Sequence, residues 1–276
     1  MKNKMKIGML YSGGLDSYVM HRKAEVENPD AEIVSIYYSH GQPAAEKEIA
    51  GLPDFVEVRQ IDWLGGDKKP VPIPSRKSEG SNMIPGRNLM FATAIACQEL
   101  PNEIHIGAYK SEAYEGATDK NFTFVEKTND VLRYVLEPFL PDGAKDIKVR
   151  LPLVEAGWNK ADIVSWALAN GITKEELINT RSCFAKETER CGECIQCFKR
   201  WTAFGLNGFT ETTDIHPLDS VLGKQFAYEL LTSELGYDTK YDLDTRESVI
   251  PWLLEFYGDN PEMFEERTSA LLDKLV

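Results

Sequence analysis

A glycine-containing turn at residues 11–17 constrains this chain more than any other feature. It reads Tyr-Ser-Gly-Gly-Leu-Asp-Ser, directly after a short apolar run and before a segment with helical character. The two glycines allow positive φ angles, and the first amides of the helix would face the turn with the positive end of the helix dipole. Ser12 and Ser17 add hydroxyl donors. The segment therefore predicts a nest for a phosphate-sized anion.

The form of this turn narrows the kind of phosphate site. It lacks the Gly-Lys-Ser/Thr ending of a Walker loop and the three-glycine spacing of a dinucleotide fingerprint. The Ser-Gly-Gly-x-Asp-Ser pattern instead resembles the pyrophosphate loop of enzymes that split ATP into AMP and pyrophosphate. The alternative is an ordinary strand-to-helix turn of small residues, which the hydroxyls and glycines at both ends of the turn disfavour.

Strand-like and helical segments alternate through most of the chain. Short apolar or β-branched runs predict strands at residues 5–11, 32–39, 55–62, 103–108 and 147–153. Helical length or periodicity falls at 17–26, after Pro43, and at 87–100, 122–139, 159–170 and 174–179. Strands separated by helices predict an α/β fold with a parallel sheet, which binds ligands at the carboxyl ends of its strands. Residues 63–85, rich in Gly, Pro, Ser and Lys, predict a long active-site loop.

The charge of the chain is acidic and uneven. The formal net charge is −13, and residues 207–276 hold fifteen acidic against five basic side chains. A net-acidic chain without a basic stripe argues against direct binding to a nucleic-acid backbone. The acidic tail also repeats leucines and aromatics at helical intervals, which predicts helices at 218–235, 246–256 and 263–275. Such a helical extension would cover the core or contact another subunit.

Composition and the beginning of the sequence predict a cytoplasmic protein. Hydrophobic residues make up 42% and charged residues 27% of the chain, as in globular proteins. No apolar run approaches the roughly 20 residues that span a bilayer, so we expect no membrane partner. The opening apolar run leads at once into the glycine turn, which indicates a strand and not a signal peptide.

Four of the five cysteines lie within fifteen residues, at Cys183, Cys191, Cys194 and Cys197. Two overlapping Cys-x-x-Cys steps and a fourth thiol suit tetrahedral coordination of Zn²⁺ in a closed, structural site. An iron–sulfur cluster also accepts four thiolates, and a redox role is a third alternative. Cys97 stands apart on an apolar helix and is expected to be a small core residue.

Four loops or helix starts supply further candidate ligands. Arg87 and Asn88 follow Pro-Gly at a helix start and can offer planar hydrogen-bonding groups to a carboxylate, phosphate or heterocycle. Gln42 lies in the turn after the second strand, and Asp119, after the fourth strand, could accept hydrogen bonds from a purine edge. Lys160 begins a helix and could reach a departing pyrophosphate. The alternatives are a solvated arginine, an exit turn, an exposed loop aspartate and a surface lysine.

Taken in order, these segments resemble the 7-cyano-7-deazaguanine synthase (QueC) family of the pyrophosphate-loop ATPase superfamily. The resemblance covers about residues 5–204, and its most specific parts are the Pro-Gly-Arg-Asn element with the cysteine spacing. The matching segments are residues 10–17, 40–42 (His-Gly-Gln), 85–88 (Pro-Gly-Arg-Asn), Gly107, the loop from Gly116 to Asp119, 152–153, 159–163, and Cys183 followed by 191–197 (Cys-Gly-Glu-Cys-Ile-Gln-Cys).

The resemblance implies a fold, a reaction and a set of ligands. The fold is a Rossmann-like parallel sheet of the adenine nucleotide α-hydrolase-like (HUP) class with a zinc-bearing helical C-terminal region. The reaction converts 7-carboxy-7-deazaguanine and ammonia to the 7-cyano base with ATP, Mg²⁺ and a bound Zn²⁺, in a homodimer. Three domains follow: an ATP-binding domain at 1–180, a zinc segment at 181–206 and an acidic helical extension at 207–276.

The resemblance also implies roles for individual residues. Asp16, Ser17, Arg87 and Lys160 would be catalytic, with Lys160 on the pyrophosphate. Gln42, Arg87, Asn88 and Asp119 would contact the substrate, and Cys183, Cys191, Cys194 and Cys197 would bind zinc. The ATP phosphates would lie on Leu10, Tyr11, Ser12, Gly13, Gly14, Leu15, Asp16, Ser17 and Tyr18.

Two departures from the family pattern keep other functions open. The family usually continues the Gly-Gln turn with Arg-His, where this chain has Pro43-Ala44. After the aspartate it usually has Cys-Arg-Pro-Glu, where residues 120–123 read Lys-Asn-Phe-Thr. A second hypothesis is therefore a QueC-like enzyme that adenylates a related carboxylate for transfer to another acceptor, including a protein. A third is a nucleotide-binding zinc module without turnover.

Overall fold

Five parallel strands form a sheet in the described part of the chain. The computed structural model describes residues 4–40, 45–61, 86–113, 118–140, 147–183, 185, 190–232 and 239–259. The strand order is β3-β2-β1-β4-β5, and each neighbouring pair is parallel. The strands are β1 (Lys6–Leu10), β2 (Glu32–Ser39), β3 (Val56–Gln60), β4 (Glu103–His105) and β5 (Lys148–Arg150).

The strand order reverses at β1. From β1 the chain moves outward to β2 and β3, and later places β4 on the opposite side of β1. In open parallel sheets, ligands bind outside the carboxyl ends of the strands at such a reversal. Because β1 ends at Leu10, the glycine turn leaves the sheet at this point.

Helices connect and follow the strands. Two of them begin with reciprocal capping boxes, in which Asn159 pairs with Asp162 and Thr173 with Glu176. The helices are α1 (Leu15–Glu27), α2 (Ala45–Ala50), α3 (Arg87–Glu99), α4 (Phe122–Leu136), α5 (Pro152–Glu155), α6 (Lys160–Ala169), α7 (Lys174–Asn179), α8 (Ile195–Leu206), α9 (Val221–Thr232) and α10 (Thr239–Asp259).

The predicted α/β fold with a parallel sheet is confirmed, and three local predictions are wrong. The strand predicted at 147–153 ends at Arg150, because Pro152 has no amide hydrogen for a ladder and its fixed φ suits the first position of α5. β4 ends at His105, before the predicted Ala108. Cys97 is exposed and not in the core, since the buried face of α3 consists of Ala92, Ile95 and Ala96. The predictions at 63–85 and 263–275 lie outside the described residues.

Two compact units divide the chain. The first comprises Met1–Gly13, Met20–Ala108 and Glu115–Pro152, and it contains the whole sheet. The second comprises Gly14–Val19, Tyr109–Tyr114 and Leu153–Val276, and it contains α6 to α10. The predicted boundaries at 180 and 206 stay predictions. Among the described helices, none combines the length and apolar character that crossing a membrane requires.

Helices α9 and α10 pack against α8 in the second unit. The Trp201 ring of α8 lies 4.7 Å from that of Trp252 and 5.3 Å from that of Phe256, measured between centroids. Trp252 and Phe256 pack against a cluster of buried side chains. The cluster consists of Phe198, Trp201, Leu218, Ala227, Leu230, Val249 and Leu253. The described part of the acidic tail therefore covers one face of α8.

Replacing Gly205 with alanine should destabilise this packing. A Cβ atom at Gly205 would lie 2.1 Å from the Trp252 ring, so α10 would have to move. Overpacking of this kind costs about 1–3 kcal/mol, which should be measurable by thermal unfolding. Gly258→Ala is the control on α10, because its Cβ would enter open space. Equal stability of the two variants would contradict the packing described here.

Candidate active site and metal centre

The glycine turn connects β1 to α1 as a tight, internally bonded loop. Gly13 has a φ of 78°, a conformation that L-residues with a Cβ atom rarely adopt. The Ser17 hydroxyl and the Tyr18 amide both donate to the Gly14 carbonyl, at 3.0 and 3.1 Å. This conformation of the turn therefore requires glycine at position 13 and a small hydroxyl residue at position 17, inside the first turn of α1. Helix α1 begins directly after the turn, which is where the predicted anion site needs the first helical amides.

Asp16 forms an ion pair with Lys160 inside the second unit. The Lys160 Nζ atom lies 3.1 Å from Asp16 Oδ2 and 5.1 Å from the centroid of the Tyr109 ring. The capping box at Asn159 fixes the start of α6, where Lys160 is the first residue. The Lys160 side chain is 6% exposed, which rules out the alternative of a surface lysine.

One oxygen of Asp16 is buried without a protein partner. Oδ1 of Asp16 is shielded from solvent and accepts no hydrogen bond among the described residues. Burial raises the pKa of Asp16 above its ordinary value, against the opposing charges of Lys160 and Arg200 and with a further increase from Glu112. An unpartnered buried carboxylate oxygen is costly, and hard cations such as Mg²⁺ are bound through such oxygens. Asp16 is therefore suited to hold a cation or a hydrogen-bond donor.

A second group of candidate residues lies in the first unit. The Asn88 side-chain amide donates to the backbone carbonyl of Asp119 at 3.0 Å and to its Oδ2 at 3.2 Å. Asn88 and Arg87 form the first turn of α3, after Gly86. His40 follows β2, and burial together with the Arg87 charge lowers its pKa. The structure thus brings Asn88 to Asp119, and Gln42 lies outside the described residues.

Sequence reasoning missed three residues that contact these groups or act on them electrostatically. Tyr109 places its ring beneath Lys160, Ser182 accepts a hydrogen bond from the Leu15 amide at 3.4 Å, and Arg200 acts electrostatically on Asp16. A usable signal existed only for Arg200, an arginine on an apolar helix three residues after Cys197. Nothing local in the sequence marks Tyr109 or Ser182.

The four predicted metal ligands converge. Their Sγ atoms all lie within 4.8 Å of one another. Sγ of Cys183 is 3.5 Å from that of Cys191, which is in turn 4.0 Å from that of Cys197. Tetrahedral Zn–S bonds of about 2.3 Å would put the sulfurs about 3.8 Å apart. The donor set therefore fits one tetrahedral metal ion.

Backbone amides and neighbouring thiols surround the sulfur atoms of the cysteines. The amides of Ala185 and Cys191 both donate to Cys183 Sγ, and the Glu193 amide donates to Cys191 Sγ, each at 3.4 Å. Hydrogen bonds with Cys183 and Cys194, together with burial, raise the pKa of Cys197 above its usual range. Four neighbouring thiols ionise together only when a cation balances their charge. The four sulfur atoms are therefore placed so that they could hold a metal ion.

Comparisons with known proteins agree with the motifs. Residues 66–208 match the family described as "Queuosine biosynthesis protein QueC". A protein named 7-cyano-7-deazaguanine synthase from a Nitratiruptor species is 29% identical over 226 residues, which is 74% of this chain and 96% of that protein. Its namesake from Campylobacter jejuni subsp. doylei is 29% identical over 229 residues, 73% of this chain and 94% of its own length.

A solved structure also matches, at a low score. It is described as "U34-tRNA thiolase NcsA from Methanococcus maripaludis with its [4Fe-4S] cluster", with 15% identity, a TM-score of 0.35, and coverage of 91% of this chain and 74% of that one. The family match spans more than half of the chain and includes Arg87, Asn88, Asp119, Lys160 and the four cysteines. This chain belongs to the QueC family.

Proposed function

We propose that the protein is an ATP-dependent ligase that converts 7-carboxy-7-deazaguanine and ammonia to 7-cyano-7-deazaguanine. The observation that carries the proposal is the ion pair between Asp16, in the first turn of α1 directly after the glycine turn, and the buried Lys160. It supplies a fixed cation and a free carboxylate oxygen where a nucleotide's phosphates would lie. Family membership supplies the expected reaction.

The proposed chemistry begins with activation of a poor acceptor. An oxygen of the substrate carboxylate attacks the α-phosphorus of ATP, and the bond to pyrophosphate breaks. Ammonia then adds to the acyl carbon, and loss of AMP and a proton leaves the amide. The amide oxygen then attacks the α-phosphorus of a second ATP, which releases a second pyrophosphate, and loss of AMP and of the two amide protons yields the nitrile. No covalent protein nucleophile is needed, because positioning and electrostatics supply the catalysis.

Lys160, Asp16 and the first amides of α1 would each have a role in the first step. Lys160 would neutralise the negative charge that develops on the departing pyrophosphate. The first amides of α1 would donate to its oxygens. Asp16 would hold Lys160 in place through Oδ2, and its Oδ1 would be available to hold Mg²⁺. Mg²⁺ would supply charge neutralisation at the phosphates.

Asn88, Asp119 and Arg87 are proposed to bind the deazaguanine substrate. The Asn88 amide holds the Asp119 backbone and carboxylate together, which fixes the direction of a carboxylate that can accept from the amino-pyrimidine edge of a deazaguanine. Arg87 would face the carboxylate that is to be activated. These roles, and that of Gln42, rest on the motif match.

We assign zinc to the cysteine cluster as part of the same proposal. The mutual spacing of the four sulfur atoms fits a single tetrahedral ion. In an iron–sulfur cluster the thiolates bind separate iron atoms, which would spread the sulfurs further apart. With four thiolates and no open position the zinc would be structural. A homodimer and a cytoplasmic location belong to the proposal as family-based predictions.

A related carboxylate is the second candidate substrate. The family's Cys-Arg-Pro-Glu stretch is replaced after Asp119, and one of the replacing residues, Asn121, caps a helix. Asn121 accepts a hydrogen bond from the Phe124 amide at 2.8 Å and so caps α4. Helix α4 therefore begins at Phe122, three residues after the aspartate. This change next to a proposed substrate residue favours an enzyme that adenylates a different acid.

Product analysis separates the two candidates. The purified protein is incubated with ATP, Mg²⁺, ¹⁵N-ammonium and 7-carboxy-7-deazaguanine, and the products are identified by mass spectrometry. We expect AMP, pyrophosphate and a nitrile that carries the ¹⁵N label. Release of AMP without labelled product would favour the second candidate. Absence of both AMP release and ATP binding would show that the proposal is wrong.

Replacing Asp119 with asparagine should reduce turnover of the deazaguanine acid without weakening ATP binding. The loss of hydrogen bonds to a charged acceptor is expected to lower kcat/KM for the acid by about 10- to 100-fold. Asp130→Asn is the control, because Asp130 lies on α4, is exposed and pairs only loosely with Arg133 at 3.3 Å. A parallel loss of ATP affinity in Asp119→Asn would contradict the assignment of Asp119 to the base.

A further inference from the structure

A buried ion pair links the cysteine segment to the residues that follow α8. Arg200 of α8 binds Glu211 through two hydrogen bonds, of 2.8 and 2.6 Å, and the two side chains are 2% and 1% exposed. Arg190, next to Cys191, also donates to Glu211, at 2.9 Å. Removing two charges from water carries a large desolvation penalty, so a buried ion pair by itself is weak evidence that the pair stabilises the fold. The other hydrogen bonds of Arg200 indicate the role of this ion pair.

The remaining hydrogen bonds of Arg200 hold the segment directly before Cys183. One terminal nitrogen donates to the Thr180 hydroxyl at 2.7 Å and, at a longer 3.5 Å, to the Ser182 hydroxyl. The other donates to the carbonyls of Leu177 and Ile178, at 3.3 and 3.4 Å. The planar guanidinium is thus fully used. Residues 177–182 are fixed to the helix that carries Cys197.

The same segment touches the first turn of α1. The Ser182 hydroxyl accepts a hydrogen bond from the Leu15 amide at 3.4 Å, and the Tyr18 hydroxyl donates to Glu176 at 2.9 Å. The Leu15 amide is among the first amides of α1, which have no acceptor within the helix. All of these residues belong to the second unit, as do Asp16 and Lys160.

We propose that Ser182, held by the Arg200–Glu211 pair, is a positioning residue for the first turn of α1. The internal hydrogen bonds of the turn, from Ser17 and Tyr18, go to the Gly14 carbonyl. The Leu15 amide instead donates to an acceptor outside the turn, the Ser182 hydroxyl. The contact comes from the segment that is anchored beside the cysteine cluster. The cluster thereby acts on phosphate binding without touching the ligand. The inference rests on the proposed function only in that it takes this turn as the phosphate site.

The test compares two serines that each bond the amide of an early helical turn. Ser182→Ala removes the contact to α1, and Ser220→Ala removes the bond of 2.9 Å to the Gly223 amide in α9. We expect ATP to bind Ser182→Ala about three- to tenfold more weakly, the value of one hydrogen bond, and Ser220→Ala within about twofold of the wild type. Ser182→Thr, which keeps the hydroxyl, should restore affinity. Metal content should stay unchanged in all three variants.

Two further readouts separate positioning from general loss of stability. Hydrogen exchange of residues 14–18 should accelerate in Ser182→Ala and not in Ser220→Ala, with no ATP present. In a double-mutant cycle, Glu211→Gln should weaken ATP binding in the wild type and add little in Ser182→Ala. Unchanged exchange and unchanged affinity in Ser182→Ala would overturn the inference. If the wild type binds no ATP, the proposed function fails, and the exchange comparison still decides the positioning role.

Discussion

Lys160→Met is expected to lower kcat/KM for ATP-dependent turnover by about 100- to 1,000-fold, the usual effect of losing one charge-stabilising group. The substitution removes the cation that would meet the departing pyrophosphate. It also deprives Asp16 of the ammonium group that donates to it at 3.1 Å, in a position where burial already raises the carboxyl pKa. Initial rates of pyrophosphate release, measured against ATP concentration, test the expectation.

Lys174 provides a matched control for Lys160. Both lysines are the first residues of helices that begin with a capping box, and each places its Nζ atom 5.1 Å from the centroid of an aromatic ring. Lys174 differs in being exposed and in having the Gly208 carbonyl oxygen, at 3.4 Å, where Lys160 has Asp16. Lys174→Met should therefore keep wild-type kinetics. A similar loss in both variants, or full activity of Lys160→Met, would remove Lys160 from the mechanism.

The fold could be predicted where its signals are local. Helix α7 spans the predicted 174–179, and α3 begins at the predicted Arg87 after Gly86. The starts of α6 and α7 are marked by capping at Asn159 and Thr173, and the start of α3 by a positive φ at Gly86. Such signals lie within a few residues of the helix boundary. The strand that was predicted through Leu153 failed for a local reason too, since Pro152 favours the start of α5.

The site was only partly predictable, because its decisive contacts join distant residues. Asp16 and Lys160 were both singled out as candidates, but their pairing spans 144 positions. Ser182 and Leu15 are separated by 167 positions, and no motif marks the serine. The cysteine cluster was predictable because three of its ligands lie within one short segment, 191–197. Periodicity could not place Cys97, which lies one residue beyond the buried Ala96.

The cysteine cluster is connected to the other contacts through α8, which carries three different contacts. Cys197 belongs to the sulfur cluster, Arg200 holds the segment that contacts α1, and Trp201 packs against Trp252 of α10. A change in the position of α8 therefore affects the anchoring of Ser182 and the packing of the tail together. Helices α9 and α10 begin beyond residue 208, where the family match ends. The two helices cover α8 with apolar side chains, and α8 also carries Cys197 of the cysteine cluster.

Cys197→Ser should therefore remove the metal and unfold the second unit at a much lower temperature. Structural zinc sites contribute most of the folding free energy in small metal-binding domains, so we expect the unfolding temperature to fall by about 10 °C or more. Elemental analysis should find one zinc per chain in the wild type and little in the variant. Cys97→Ser is the matched control, because Cys97 is exposed and apart from the cluster; it should keep its zinc and unfold within about 2 °C of the wild type. Several iron atoms per chain with equivalent sulfide, or full zinc retention in Cys197→Ser, would show that the cluster is not a mononuclear four-cysteine site.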